Sequence, residues 1–480
     1  MSKKQWIGLV LAFVLFAAIL LYPEMNGLGK EGQRCLALFT VVFLLYIFES
    51  IPAAVISLAI VPLLVILRIS DVNAALDGFA SSSTYLVIGS FILTAAMIKT
   101  GLGKRITCHL LLWVETSPMQ ISFGLMAVNI LMAFLIPSST ARTAMLLPIC
   151  LSVIKEYRGE EENQRRYGEN LLLTLCVTSS TISAGIMTST ISNPMAVEYI
   201  QNTTGKTVSY GEWFLWGFPP SLVMTVLSWI VIQVCFHLKG AARAKETVKP
   251  RNKAESRESL YLKQELKEMG SVTGQELRTA AIIVFTVILW VFGSRWGVDS
   301  TTAALIGAVI LMMPGCGVLK WKDCQSSVSL SVVFVISGGI SLGDAMAYTG
   351  TADWLAKRVF GFLSGNIPLQ VVIILVIIVV QFMHVFFVGT ATMANAFFPI
   401  LVSIAGRIGV SPLCIILPAA FMIGGYPVLL FFNTTPNILC YDTGRLRSWD
   451  FLKTGIPISV LACIVYGICA EWFWPLANMY

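Results

Sequence analysis

The chain has 480 residues, 56% of them hydrophobic and only 12% charged, with a mean hydropathy of +0.79. A soluble domain carries about 25% charge, so this chain cannot clothe itself in a hydrated surface, and a soluble enzyme is excluded. The net charge of +7, from 33 basic against 26 acidic residues, gathers in a few loops and forms no nucleic-acid-binding stripe.

A membrane span needs roughly 20 apolar residues. In chain order such runs fall at 6–22, 34–49, 51–68, 84–99, 170–187, 212–237, 278–295, 301–319, 330–348, 411–432 and 454–476, about eleven in all. The first follows Met-Ser-Lys-Lys and no small-residue cleavage site succeeds it, so it is expected to stay as a helix. Two further stretches, 119–154 and 367–405, are broken near their middles by small polar residues. Each is expected to form a re-entrant helical hairpin, which membrane depth allows only where irregular backbone faces protein or a water-filled cavity. The fold class is therefore an all-α polytopic membrane protein, with about eleven transmembrane helices plus two re-entrant hairpins.

Basic residues orient it. The 239–278 segment carries ten Lys/Arg against six Glu, which places it in the cytoplasm by the positive-inside rule. The alternating count then puts the N-terminus inside and the C-terminus outside. The expected organisation is an N-terminal helix over 1–33, a first repeat over 34–238, a basic linker over 239–277 and a second repeat over 278–480.

The repeat is legible in four pairs of segments. VIGSFILTAAMIKTGL at 87–102 pairs with VISGGISLGDAMAYTG at 335–350, and PSSTARTAMLLPI at 137–149 with VGTATMANAFFPI at 388–400. TSTISNPMA at 188–196 pairs with FNTTPNILC at 432–440, and EWFLWGFPPS at 212–221 with WDFLKTGIPIS at 449–459. An odd number of spans separates corresponding helices, so the copies are inverted. Inverted repeats with interrupted helices mark secondary transporters, whose sites lie near the midplane between repeats.

The first breaks are Ser138, Ser139 and Thr140 after Pro137, and Gly389, Thr390 and Thr392. Hydroxyls and freed backbone N–H groups at a helix N-terminus suit a carboxylate or another oxyanion. The second breaks are Ser192-Asn193-Pro194 and Thr434-Thr435-Pro436-Asn437. There proline is expected to unwind the helix and leave carbonyls for substrate or a sodium ion. Arg142 and His384 flank the two tips, and ionisable groups at membrane depth usually face a functional cavity. Eleven cysteines without CxxC spacing and three histidines give no zinc or haem site, and no HExxH or nucleophile–base pair suggests an intramembrane enzyme.

With these residues the sequence resembles the divalent anion:sodium symporter family over nearly its whole length. FESIPAAVISLAIVP at 48–62 is similar to that family's early Glu-x-x-Pro stretch, SSTAR at 138–142 and GTAT at 389–392 to its two Ser-Asn-Thr hairpin motifs, and NTTPNIL at 433–439 to its Thr-Pro-Pro-Asn-like loop. The Ala-Arg-Thr continuation at 141–143 resembles the citrate/succinate, tartrate/succinate and 2-oxoglutarate/malate exchanger branch. The resemblance implies a homodimer, a scaffold part and a transport part moving like an elevator, and a di- or tricarboxylate substrate. It implies that Ser138, Ser139 and Thr140 touch one carboxylate and Gly389 and Thr390 the other, with Asn193, Thr435, Pro436 and Asn437 lining adjacent ion sites. Ser139 and Gly389 depart from the family's asparagines.

The expected function is exchange of small carboxylates across the cytoplasmic membrane without a cofactor, with Arg142 standing in for a cation. Two alternatives stay open. One is sodium-coupled symport, with sodium at Ser138, Asn193, Thr435 and Asn437; the other is carriage of an inorganic anion such as sulfate or arsenite.

Overall fold

The computed structural model describes residues 3–23, 25–113, 117–136, 138–157, 161–236, 257–360 and 367–480. Pro137, His237 and the 239–256 part of the basic linker lie outside them. The described chain is built of helices, joined by short unwound segments. In order it forms α1 (Lys3–Leu21), α2 (Lys30–Phe48), α3 (Ala53–Ile66), α4 (Ser82–Thr100), α5 (Leu102–Trp113), α6 (Pro118–Leu135), α7 (Ser139–Glu156), α8 (Glu161–Thr181), α9 (Ser192–Thr204) and α10 (Tyr210–Cys235). There follow α11 (Arg257–Met269), α12 (Gly274–Phe292), α13 (Ser300–Met312), α14 (Trp321–Ser327), α15 (Leu330–Tyr348), α16 (Thr351–Phe360), α17 (Leu369–Met383), α18 (Thr390–Ile408), α19 (Leu413–Gly425), α20 (Thr435–Tyr441) and α21 (Ser448–Ile468).

Local chemistry sets many of these limits. Ser117 with Gln120, Ser209 with Glu212 and Thr273 with Glu276 form capping boxes that start α6, α10 and α12. Gly101, at φ +75°, ends α4 in the left-handed conformation that glycine adopts without steric cost.

Nine of the described helices are long and apolar enough to cross a membrane. The runs at 51–68, 301–319 and 411–432 form shorter helices, Ala53–Ile66, Ser300–Met312 and Leu413–Gly425. α3 starts after Pro52 and stops before Arg68, which is itself left-handed, while the last run unwinds from Tyr426 onward. The 170–187 run likewise unwinds after Thr181, and α8 extends upstream through polar residues from Glu161. The 119–154 and 367–405 stretches are both helix–break–helix. α6 and α7 pack on the same helix, α8, and α17 and α18 both pack on α19.

The repeat extends to the helix limits. α4 and α15 have the same length, 19 residues, and Ser83 is the second residue of one as Ser331 is of the other. They run in opposite directions. Lys99, near the C-terminal end of α4, reaches Val318 O at 2.9 Å and Asp323 Oδ2 at 2.6 Å, just ahead of the N-terminus of α15. α3 packs on α15 as α13 packs on α4. The short helices after the two breaks cross over: α9 packs on α18 and α19 of the second half, and α20 on α7 and α8 of the first. This exchange brings the four breaks to one place.

Candidate substrate site between two hairpin tips

In the first hairpin, Ser138 is the N-cap of α7 and its Oγ accepts from the Ala141 N–H at 3.2 Å. In the second, the N-cap of α18 is Gly389, at φ +95° and without a capping side chain. Positive φ is open to glycine and costs other residues about 1–2 kcal/mol. Gly389 thus makes a tip that offers bare backbone, leaving the first N–H groups of α18 without a side-chain cap. Its own N–H donates to Asn433 O at 3.1 Å. Thr392 turns its hydroxyl back on the tip carbonyls, Val388 O at 3.1 Å and Gly389 O at 2.9 Å.

The unwound loops behind the tips are held alike. The Asn193 side-chain amide donates to Ser183 O at 2.9 Å and Ile186 O at 3.0 Å. The Asn437 amide donates to Pro427 O at 2.8 Å and Leu430 O at 3.1 Å, the same ten and seven residues upstream. Both Oδ1 atoms are buried without a partner among the described residues. Pro194 and Pro436 do not unwind these helices. Each sits in the first turn of the following helix, α9 or α20, where a missing N–H costs no helical bond. The irregular backbone lies upstream of them.

Arg142 and His384 stand behind the tips, outside the cavity wall. The fully buried Arg142 guanidinium donates to Ile136 O and Ser189 Oγ, each at 2.8 Å, to Ser179 O at 2.9 Å and to Ser183 Oγ at 2.6 Å. Among the described residues it has no carboxylate partner. His384 Nε2 faces Ile423 O at 3.4 Å, which requires the hydrogen on Nε2. Asn433 completes the second half: its amide donates to His384 O at 2.5 Å and Phe387 O at 3.2 Å. By position in the repeats, Ser179 matches Ile423, Ile136 matches Phe387 and Ser189 matches Asn433. One half ties tip to loop with an asparagine and the other with an arginine.

Between the tips lies a cavity of about 270 Å³. Ser138, Ser139, Thr140, Pro194, Gly389, Thr390, Thr392 and Thr435 line it; Arg142, Asn193, Pro436, Asn437 and His384 do not. No lining residue is ionisable. What it offers an anion is hydroxyls and the N-terminal ends of α7, α9 and α18, each equivalent to about half a positive charge. The opposite wall comes from α3, α4 and α15, where Ser90 and Ser331 join Val87, Phe91 and Val335. Single hydroxyls inside apolar helices give no sequence signal, and these were missed. Thr434, named with the second break, also lines the cavity, and so does Thr190, which was missed although it occupies the matching place in the repeat. A larger vestibule of about 670 Å³ shares Ser138, Thr140 and Thr435 with the cavity and extends to Lys99 and Asp323.

Interrupted helices in two antiparallel copies, meeting at a neutral polar cavity, define a secondary transporter of the inverted-repeat class. Residues 3–479 match the family described as sodium:sulfate symporter transmembrane region, and the chain belongs to that family. It is a multi-pass membrane transporter and not an enzyme.

Among its relatives, the citrate/succinate antiporter of Escherichia coli strain K12 is 26% identical, covering 98% of this chain and 99% of its own. The L-tartrate/succinate antiporter of the same strain is 24% identical, covering 99% of each. The chloroplastic dicarboxylate transporter 1 of Spinacia oleracea is 26% identical over 97% of this chain and 80% of its own. Among solved structures, the Alcanivorax borkumensis YdaH transporter superposes with a TM-score of 0.51 at 11% identity, covering 92% of this chain and 99% of its own. Neisseria gonorrhoeae MtrF does so with 0.50 at 12%, covering 98% and 95%. These two likenesses are of fold alone.

Proposed function

We propose that this transporter exchanges small di- and tricarboxylates, of the succinate, malate, 2-oxoglutarate and citrate class, one anion for another. The observation that carries the reading is Arg142. A fully buried guanidinium without an acidic partner is costly, and here it lies directly behind the tip whose hydroxyls face the cavity. An anion held between the tips offsets that charge, and an arginine that joins tip to loop does what a bound cation would do. Ser138, Ser139 and Thr140 take one carboxylate, and Gly389, Thr390 and Thr392 the other. Pro194 and Thr435 close the side between them, and Arg142 and His384 act through the tips. The relatives named as antiporters of citrate, tartrate and succinate support the substrate class.

In this reading the hairpins with α8–α10 and α19–α21 move as an elevator against a scaffold of α1–α4 and α12–α15, in a homodimer in the cytoplasmic membrane. The vestibule faces the cytoplasm, because Lys99 lines it and Lys320 and Lys322 neighbour its Asp323 in sequence, and the N-terminus lies on that side with the C-terminus outside.

Sodium-coupled symport is a second reading. The Oδ1 atoms of Asn193 and Asn437, buried without a partner among the described residues, favour it, since each side chain reaches from the first turn of its helix to the unwound loop upstream. Thermal unfolding of the purified protein separates the two. Stabilisation by succinate or citrate in sodium-free buffer supports exchange. Stabilisation that appears only with sodium supports symport, and stabilisation by sulfate alone removes the carboxylate reading.

A further inference from the structure

The N-termini of α4 and α15 are equivalent by the repeat, yet they are treated differently. At α4, Glu198 from α9 holds the helix start. Its Oε2 accepts the Ser83 N–H at 3.1 Å and lies 3.0 Å from Ser83 Oγ, and the same hydroxyl lies 2.6 Å from Pro194 O. Glu198 is buried at 8% exposure. This joint seals one side of the site, where only a crevice of about 30 Å³ remains, lined by Ser83, Pro194, Glu198 and Asp299.

At α15 the same parts are present but apart. Ser331, the counterpart of Ser83, is exposed and lines the cavity. Ser329, the N-cap, makes no capping bond with its side chain. The residue matching Glu198 is Asp442, since each stands at the same distance beyond its loop asparagine, Asn193 or Asn437. Asp442 is exposed, and its carboxylate makes no hydrogen bond or ion pair among the described residues. On this side the site opens into the 670 Å³ vestibule.

We infer that Ser83–Glu198 and Ser331–Asp442 are the two positions of one alternating latch. The first is closed when the site opens to the vestibule, and the second closes when the site opens to the opposite side. In an inverted repeat the second state is built by giving each half the contacts the other half has in the first. A carboxylate on the first N–H groups of a helix is a charge-assisted bond at the positive end of the helix dipole. The two latches compete because α9 and α20 both belong to the group of helices that moves. This inference rests on the alternating-access part of the proposed function and not on the identity of the anion, so its test uses no substrate.

The test is the rate at which a bulky maleimide labels Ser326→Cys, an exposed residue of the vestibule wall, in purified protein whose exposed Cys316 is replaced by serine. Glu198→Gln weakens the latch of the vestibule-open state, so labelling falls about threefold or more. Asp442→Asn weakens the opposite latch, so labelling holds or rises. The double variant returns towards the parent rate. If Glu198→Gln does not fold, Ser83→Ala takes its place with the same expectation. No fall on opening the first latch, a fall in Asp442→Asn, or a double variant that fails to recover overturns the inference.

Discussion

The Arg142 guanidinium and the His384 imidazole address corresponding carbonyls, Ser179 O at 2.9 Å and Ile423 O at 3.4 Å, from opposite arms of their hairpins. Arg142 stands after its tip and His384 before its own, so the two halves reach one geometric solution with different residues. Only the arginine carries a permanent charge, and the two ends of the cavity differ for that reason.

Arg142→Ala removes four charge-assisted bonds, to Ile136 O, Ser179 O, Ser183 Oγ and Ser189 Oγ, while the Ser138 N–H still reaches Ile136 O and the Ser183 hydroxyl still reaches Ser179 O. A hydrogen bond to a charged group contributes about 1.5–3 kcal/mol, so the variant is expected to insert, melt at a lower temperature and lose transport by about two orders of magnitude. Arg142→Lys keeps the charge but not the planar fork, and recovers only part of the rate. Transport and melting curves on the same preparations check both. Wild-type transport in Arg142→Ala excludes the role given to this side chain.

Asn193→Ala and Asn437→Ala are expected to cost the same. Each removes two bonds that pin an unwound loop, and each loop is buried. A loss of about 1–3 kcal/mol for either, read from denaturation midpoints in detergent, matches the repeat. A large loss for one and none for the other contradicts equivalent loops.

Gly389→Ala isolates the backbone. A Cβ there meets nothing nearer than Thr392 Oγ1 at 4.0 Å, so the cost is the φ of +95° alone. That amounts to about 1–2 kcal/mol, and the tip is expected to relax away from it, weakening apparent anion affinity about tenfold while the fold persists. Ser138→Ala costs about 1 kcal/mol through its lost cap and also removes a hydroxyl from the cavity, so it is expected to weaken binding at the other tip in the same titration.

The linker helix α11 docks on α5 through Lys104 and Glu265. The hydrogen bond from Lys104 holds the Glu265 carboxyl below its usual value, and Glu265 pushes the Lys104 ammonium up. A lowered carboxyl contributes stability above its unfolded value and loses it as pH falls through the folded one; a raised ammonium contributes below its unfolded value and loses it as pH rises. Docking is therefore expected to be flat from about pH 5 to 9 and to loosen as pH falls below the ordinary glutamate value of about 4.3. Hydrogen exchange of α11 across that range measures it, and loosening near pH 7 contradicts it.

Much of the architecture was legible because the polar interruptions are rare in so apolar a chain. Ser138-Ser139-Thr140 and Gly389-Thr390 stand out against their surroundings, and α15 occupies the expected 330–348. The amphipathic helices α5 and α16 carry no long apolar run, so hydropathy passes over them. The role of Pro194 and Pro436 was misread because a proline that breaks a helix and one that begins the next leave the same mark in sequence. Glu198 gave no signal at all, since its partner Ser83 is remote in sequence and only the fold brings them together.

The most direct measurement is uptake of labelled succinate, citrate and 2-oxoglutarate into liposomes containing the purified protein, with and without unlabelled anion inside and with and without an inward sodium gradient. Uptake that requires the internal anion and ignores sodium is the predicted result. Uptake that requires sodium and proceeds into liposomes free of anion contradicts exchange.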